Sequence, residues 1–214
     1  MIKLKVELLL ETKKSVKMLR DLGALVLASS SEGRLKLLRS VQIYPDHIFH
    51  PDIDETPLKN ELPGKLAIRL AIAKSEKASY YFPDALIISA DTVSACGRRI
   101  LPRALSDNDV IDCLKMLSGR RHRIYSAVSV LRTCQGNIKK QTCKLSMNII
   151  KFKQLEEREI LDYIATKEGL NKRGGCSIEG MASAFVKWMK GTVSSVIGLP
   201  LYETTSLIKS MQHL

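Results

Sequence analysis

The chain reads as an α/β protein, a mixed twisted sheet flanked by helices, and three observations predict it. Short apolar blocks of strand length at residues 24–28 and 85–90 each stop in small polar residues. An alternating stretch runs through 124–131, and helical periodicities fill the intervals between these segments. The 214 residues suit one large domain or two small lobes, and a mix of 45% hydrophobic and 26% charged residues excludes a disordered or fibrous chain.

The elements follow in order. Residues 1–22 are rich in Lys and Leu; Leu8, Leu9, Val16 and Leu19 fit a helix better than a strand, although Ile2, Leu4 and Val6 alternate. They form an N-terminal extension ahead of a domain over 23–214. The block 24–28 is a strand that stops in Ser29, Ser30 and Ser31, after which Leu35, Leu37 and Leu38 mark a helix. Alanines, leucines and lysines over 66–78 make a second helix, and 85–90 is a buried strand ending at Asp91 and Thr92. Residues 107–117 are helical and closed by Gly119; 124–131 and 142–152 pair across a turn at Gln135-Gly136-Asn137. A helix over 156–166, two short segments punctuated by Gly174, Gly175 and Gly191, and a closing helix over 201–211 complete the chain. Phe185 and Trp188 share a short apolar segment with Val186 and Met189, which places both in the core.

Lys and Arg number 34 against 22 Asp and Glu, a net charge of +12, so the partner is a polyanion: nucleic acid, acidic lipid or a phosphorylated small molecule. Arg120, Arg121, Arg123, Arg132, Lys139, Lys140 and Lys144 lie together with no acid among them, either a phosphate surface or the solvated face of a hairpin. With aromatic residues at 5% and no Phe/Tyr stripe, a base-stacking platform is poorly supported; this disfavours nucleic acid and favours a small phosphorylated ligand. Five cysteines, odd in number and without a CxxC pair, read as reduced thiols of a cytoplasmic protein. No apolar run approaches the ~18 residues of a membrane helix, and Leu8-Leu9-Leu10 is too short for an export signal.

Four stretches carry chemistry. Ser29, Ser30, Ser31, Gly33 and Arg34 place hydroxyls, backbone N–H groups and a guanidinium at a helix N-terminus, either a phosphate cradle or an ordinary N-cap. Asp52, Asp54 and Glu55 crowd a proline-bounded loop, suited to a hard cation or to loop capping. Asp91 stands at the end of a buried strand, where an ionised carboxylate is costly unless it is paired or binds a metal. Arg103 beside Pro102, and Lys172 and Arg173 before Gly174, offer cations that singly read as surface charge.

In this order the stretches resemble the Maf family of nucleoside triphosphate pyrophosphatases, over residues 24–206. The family's L-A-S-x-S-x-R-R is matched by Leu27-Ala28-Ser29-Ser30-Ser31-Glu32-Gly33-Arg34, with Gly33 where the first arginine is usual. Its D-E-T loop is similar to Asp54-Glu55-Thr56, its helix lysine to Lys74, and its A-D-T to Ala90-Asp91-Thr92. Its G-x-I-L-x-K-[PA] resembles the stretch from Gly97 to Ala104, with Arg103 at the lysine position, and its L-S-G-R-x-H resembles Leu117-Ser118-Gly119-Arg120-Arg121-His122. K-A-G-x-x-x-I-Q-G is similar to Lys172-Arg173-Gly174-Gly175-Cys176-Ser177-Ile178-Glu179-Gly180, and V-G-L-P to Ile197-Gly198-Leu199-Pro200.

The resemblance implies a two-lobed inosine-triphosphatase-like fold with a central cleft. It also implies hydrolysis of nucleoside triphosphates between the α and β phosphates, with a divalent cation, Mg²⁺ or Mn²⁺, and a homodimer. Carried over residue by residue, Asp91 is the proton acceptor and, with Glu55, a metal ligand. Ser29, Ser31, Arg34, Lys74 and Arg103 bind the phosphates, and Gly33, Thr92 and Glu179 set specificity. A carboxylate at Glu179 only accepts hydrogen bonds, which suits a base presenting N–H donors, whereas the family's dTTP/UTP branch carries glutamine there and its 7-methyl-GTP branch is expected to carry glutamate. Two departures, Gly33 and Glu179, leave room for another outcome, a catalytically weak regulatory protein acting in cell division.

Overall fold

A computed structural model describes residues 22–211. The N-terminal extension lies outside the described residues save for Leu22, which is buried. The strands are β1 (Ala24–Ala28), β2 (His47–Phe49), β3 (Ala85–Cys96), β4 (Arg99–Ile100), β5 (Arg121–Cys134), β6 (Asn137–Phe152) and β7 (Val186–Lys190). The helices are α1 (Glu32–Ser40), α2 (Pro63–Ser79), α3 (Asp107–Leu117), α4 (Glu157–Ala165), α5 (Val193–Ile197) and α6 (Leu201–Ser210), with a 3-10 turn at Met181–Phe185.

One mixed sheet runs in the order β2-β1-β3-β5-β6-β7, with β4 pairing β3 to the side. β1 is parallel to β2 and β3, and the remaining pairings are antiparallel. The apolar runs of β1 and β3 have no alternation because helices cover both faces of the sheet there. On one face α2 presents Leu66, Ala67, Leu70 and Ala71 to Val93 and Ala127. That helix starts cleanly because Pro63 occupies its first turn, where no N–H partner is needed, and Ala and Leu fill its interior. On the other face Leu38 of α1 and Leu207 and Ile208 of α6 pack on Leu27, Ile88 and Val128. Each fully buried leucine here is worth roughly 1.5–3 kcal/mol of transfer free energy. Further along that face α3 and α4 build a second core with Leu114, Leu117, Phe152 and Tyr163.

The helices expected beyond residue 22 and the β5–β6 hairpin are all present, while the helical reading of residues 1–22 lies outside the described residues; the hairpin turns at Gln135 and Gly136, both with positive φ. Two features differ from expectation, and one open alternative is decided. β3 does not stop at Asp91 but continues to Cys96, because the register pairs Asp91 with Ala127 and Ala95 with Arg123 on the longer β5. Trp188 is 42% exposed and not a core residue: it sits on β7, an edge strand, while Phe185 is buried as expected. The basic residues between 120 and 144 decorate the hairpin, and none of them lines the cavity described below. Short β2 and β4 carry too few residues to show a period and escaped the sequence reading.

Candidate functional site

β1 ends at Ala28, opposite Ser89, so beyond that point one edge of β3 loses its neighbour and a cavity of about 530 Å³ opens beside Asp91 and Thr92. Adjacent residues of β3 point to opposite faces, so Asp91 turns toward α2 and Thr92 toward α1. The chain thus sends side chains around an open strand edge from both layers, at the C-terminal end of a parallel pair.

Asp91 is 2% exposed. Its Oδ1 accepts from Lys74 Nζ at 2.6 Å, and its buried Oδ2 has no hydrogen-bond partner among the described residues. Lys74, itself buried in α2, also reaches Glu55 Oε1 at 2.6 Å, and Arg173 pairs with Glu55 Oε2 at 2.5 Å. One ammonium therefore holds two carboxylates of the cavity wall close together. Burial pushes the Glu55 carboxyl up, but the hydrogen bond and charge of Lys74 with the charges of Arg173 and Arg103 outweigh it, leaving Glu55 below its ordinary 4.5.

The serine-rich loop is held from inside. Arg34 donates from Nε to the Gly198 carbonyl at 2.9 Å and from Nη1 to Ser29 Oγ at 2.8 Å, with a longer contact from Nη2 to Thr92 Oγ1 at 3.4 Å. Burial pulls the Arg34 guanidinium below its ordinary value, while Asp91 and Glu55 pull it back up. Gly198 sits at φ +134° with its missing Cβ within 3.5 Å of Arg34 Nε and Thr92 Oγ1, so a side chain there would be strained and would crowd this contact. Ser31 caps α1 by accepting from the Arg34 N–H, and its own N–H reaches Ser29 Oγ. The N-cap and phosphate-cradle readings are thus compatible, since the capped end of α1 faces the cavity.

Of the expected site residues, Ser29, Ser31, Gly33, Arg34, Glu55, Lys74, Asp91, Thr92, Arg103 and Glu179 all line this one cavity. Asp52 and Asp54 do not; Asp54 turns back to accept from the Thr56 N–H, so only one carboxylate of that acidic loop enters. Gly33 and Glu179 prove to be neighbours, a Cβ on Gly33 falling 3.6 Å from Glu179 Oε2. Arg173 and His122 are among the lining residues missed as site members. Arg173 looked like surface charge, but an antiparallel bridge between Arg103 and Arg173 draws it inward to Glu55. His122, within a quoted motif but given no role, lies buried on β5 against Phe152, and no local signal marks a strand histidine as cavity-facing.

Burial pushes the His122 imidazole down from 6.5 to about 4. The unfolded ring takes a proton as pH falls through 6.5 while the folded ring does not until about 4, so folded-state stability falls across that window. Thermal melts are expected to show a weaker acid sensitivity between pH 6.5 and 4 for His122→Asn than for the parent; identical slopes would refute this.

No group of three or more His, Cys, Asp and Glu side chains able to hold a metal ion occurs among the described residues. No described helix is long and apolar enough to cross a membrane. The family model described as Maf-like protein matches residues 24–211. A nucleoside triphosphate pyrophosphatase from Orientia tsutsugamushi (strain Boryong) is 48% identical over 89% of this chain and 93% of its own length. A dTTP/UTP pyrophosphatase from Wolbachia pipientis wMel is 46% identical over 89% of this chain and 95% of its own length. A nucleoside triphosphate pyrophosphatase from Rickettsia canadensis (strain McKiel) is 46% identical, covering 87% of this chain and 93% of that one. With nearly the whole described fold matched and the expected site residues gathered in one cavity, the chain belongs to the Maf-like protein family.

Proposed function

We propose that this chain is a nucleoside triphosphate pyrophosphatase whose reaction centres on Asp91. The observation that carries the reading is the unpartnered, buried Asp91 Oδ2 at the edge of a cavity ringed by Arg34, Lys74, Arg103 and Arg173. A buried acceptor of this kind is expensive to leave unmade, and a water or cation beside a phosphate satisfies it. The names of the relatives support the same reaction.

In this mechanism Asp91 takes a proton from water as the water oxygen bonds to the α-phosphorus. The bond from that phosphorus to the oxygen bridging the α and β phosphates breaks, and the bond's electrons leave on pyrophosphate. Nucleoside monophosphate and pyrophosphate are the products. Arg34, Lys74 and Arg103 offset the polyphosphate charge, with Ser29, Ser31 and the N-terminus of α1 as donors. Glu55 and Asp91 would hold the divalent cation. Two carboxylates, one with an unsatisfied oxygen, fit Mg²⁺, which takes few protein ligands and completes its shell with phosphate oxygens and water. When bound, the ion supplies Lewis-acid stabilisation of phosphate oxygens. Lys74 meanwhile keeps both carboxylates in register. A homodimeric, cytoplasmic enzyme is the form that the family resemblance implies.

Gly33, Thr92 and Glu179 are assigned to substrate choice. Glu179 is exposed at the rim and beside Gly33, where an acceptor-only carboxylate selects N–H donors on the base. Pyrophosphate and orthophosphate release from dTTP, UTP, CTP, GTP and 7-methyl-GTP with Mg²⁺ or Mn²⁺ tests the whole reading. Metal-dependent pyrophosphate is expected, and Glu179→Gln is expected to shift the ranking toward dTTP and UTP by about tenfold, the scale of one base-reading contact. No pyrophosphate from folded protein would sink the enzyme reading in favour of a binding role. An unchanged ranking in the variant would remove Glu179 from specificity.

A further inference from the structure

Glu55 reaches the cavity with both carboxylate oxygens already in ion pairs. Lys74 Nζ holds Oε1 at 2.6 Å and Arg173 Nη2 holds Oε2 at 2.5 Å. The two cations are not alike. Lys74 is buried in α2 and also pairs with buried Asp91, so releasing it would leave a carboxylate uncompensated inside the protein. Arg173 has no second anionic partner among the described residues; its side chain is 18% exposed and that of Glu55 is 32% exposed. A pair this open to water is held weakly.

We infer that Arg173 is an exchangeable stand-in for the divalent cation on Glu55: its guanidinium holds Oε2 until the cation takes that oxygen, and then turns to the polyphosphate. The inference rests on the pyrophosphatase reading for the identity of the cation and the anion, and on the ion-pair arrangement for the exchange. A divalent ion brought against Oε2 would meet the positive charge of the guanidinium at contact distance, so the two compete for that oxygen.

The side chain also suits the second half of the exchange. A guanidinium carries N–H donors on every nitrogen, in a fork that matches phosphate, and only Nη2 has a protein acceptor among the described residues. Its backbone, by contrast, is fixed. The bridge from Arg173 to Arg103, the Gly174 N–H donated to the Pro102 carbonyl at 2.9 Å and the Ala104 N–H donated to the Lys172 carbonyl at 3.0 Å tie it to the segment that carries Arg103. The guanidinium therefore moves on a fixed base beside a cation assigned to the phosphates, and both residues line the cavity. Arg173 stands where the resembled motif K-A-G has alanine, so the exchange belongs to this chain and not to the motif. A cation on Glu55 frees a phosphate donor, and a polyphosphate that draws Arg173 away frees Glu55, so each ligand favours the other.

Two binding measurements on the full chain test the exchange. The first is Mn²⁺ affinity by calorimetry without nucleotide, in the parent, Arg173→Ala and Arg103→Met. Arg173→Ala takes the competitor from Oε2, whereas Arg103→Met removes a nearby positive charge that makes no ion pair with Glu55 among the described residues. Mn²⁺ is expected to bind Arg173→Ala about tenfold more tightly than the parent, and Arg103→Met less than about threefold more tightly, the difference between a contact charge and a screened one. Equal affinity in the parent and Arg173→Ala, or no binding to any of these proteins, would overturn the inference. So would an equal gain in Arg103→Met, which marks a general effect of charge. The second measurement is tripolyphosphate affinity in EDTA, where Glu55→Gln is expected to release Arg173. Glu55→Gln should tighten tripolyphosphate by about tenfold alone and by less than about twofold when combined with Arg173→Ala. No gain, or an equal gain in both backgrounds, would remove Arg173 from phosphate binding and overturn the inference. Should Arg173→Ala fail to fold, Arg173→Met, which keeps an apolar stem, takes its place. Pyrophosphate release by the parent is scored separately: the expected binding results without pyrophosphate would keep the exchange and sink the enzyme reading, and the reverse would sink the exchange alone.

Discussion

Asp91→Asn is expected to lower the rate of pyrophosphate release by about three orders of magnitude, the scale of general-base catalysis, while leaving the fold in place. Asparagine has the shape of aspartate and can still accept from Lys74 Nζ through its carbonyl oxygen, so the packing beneath α2 survives. What it lacks is a second anionic oxygen to take the water's proton at the place Oδ2 now occupies, and a charge for the cation. The check is kcat by pyrophosphate detection beside a thermal melt. Turnover within tenfold of the parent would exclude Asp91 as the base, and a melting point lowered by many degrees would mean that the loss reflects unfolding.

The second large effect concerns Lys74. Its ammonium touches both carboxylates of the site, and both Lys74 and Asp91 are buried. Lys74→Met keeps most of the side-chain volume and deletes the charge, leaving Asp91 without its only ion-pair partner among the described residues. Breaking a buried pair from one side typically costs about 3–5 kcal/mol. The lower end is expected here because Glu55 is a third exposed and keeps Arg173. Glu55 also loses the chief influence that holds its carboxyl below 4.5, so its carboxyl rises. Since a depressed carboxyl contributes stability above its unfolded value and loses it as pH falls through its folded value, the variant has less of this contribution to lose on acidification. A fall in kcat of about a hundredfold or more should accompany these changes, as expected for a preorganised cation at a site of charge development. Denaturant melts and rate profiles across pH would report both effects. Full stability with full activity would remove Lys74 from the site.

These two residues also show how far the chain can be read before it folds. Asp91 stood out because a carboxylate after six residues of apolar strand demands a partner. The Ser29–Ser31 loop stood out because a strand ran into hydroxyls before a helical period. Such signals are local: they depend on the intrinsic preferences of a few neighbouring residues, and the strands, helices and hairpin turn that followed from them are present. Trp188 failed the same reasoning. An apolar neighbourhood in sequence implies burial only where another layer covers the strand, and β7 lies at the sheet's edge.

The ordered motifs and the apolar blocks determined by themselves that this is an α/β chain with a serine-rich loop at a helix N-terminus, a buried aspartate and a family resemblance that the matched model bears out. Tertiary structure decided which of the candidate charges act together. Only Glu55 of the three acidic residues in its loop turns inward, because Lys74 and an arginine 118 positions away compensate it there. Only the fold brings His122 to the cavity wall, through pairing with β6 and contact with Phe152. Burial and ion pairing arise between residues distant in the chain, and their energies depend on the dielectric and neighbours that the packed layers create, which no local pattern of residues encodes.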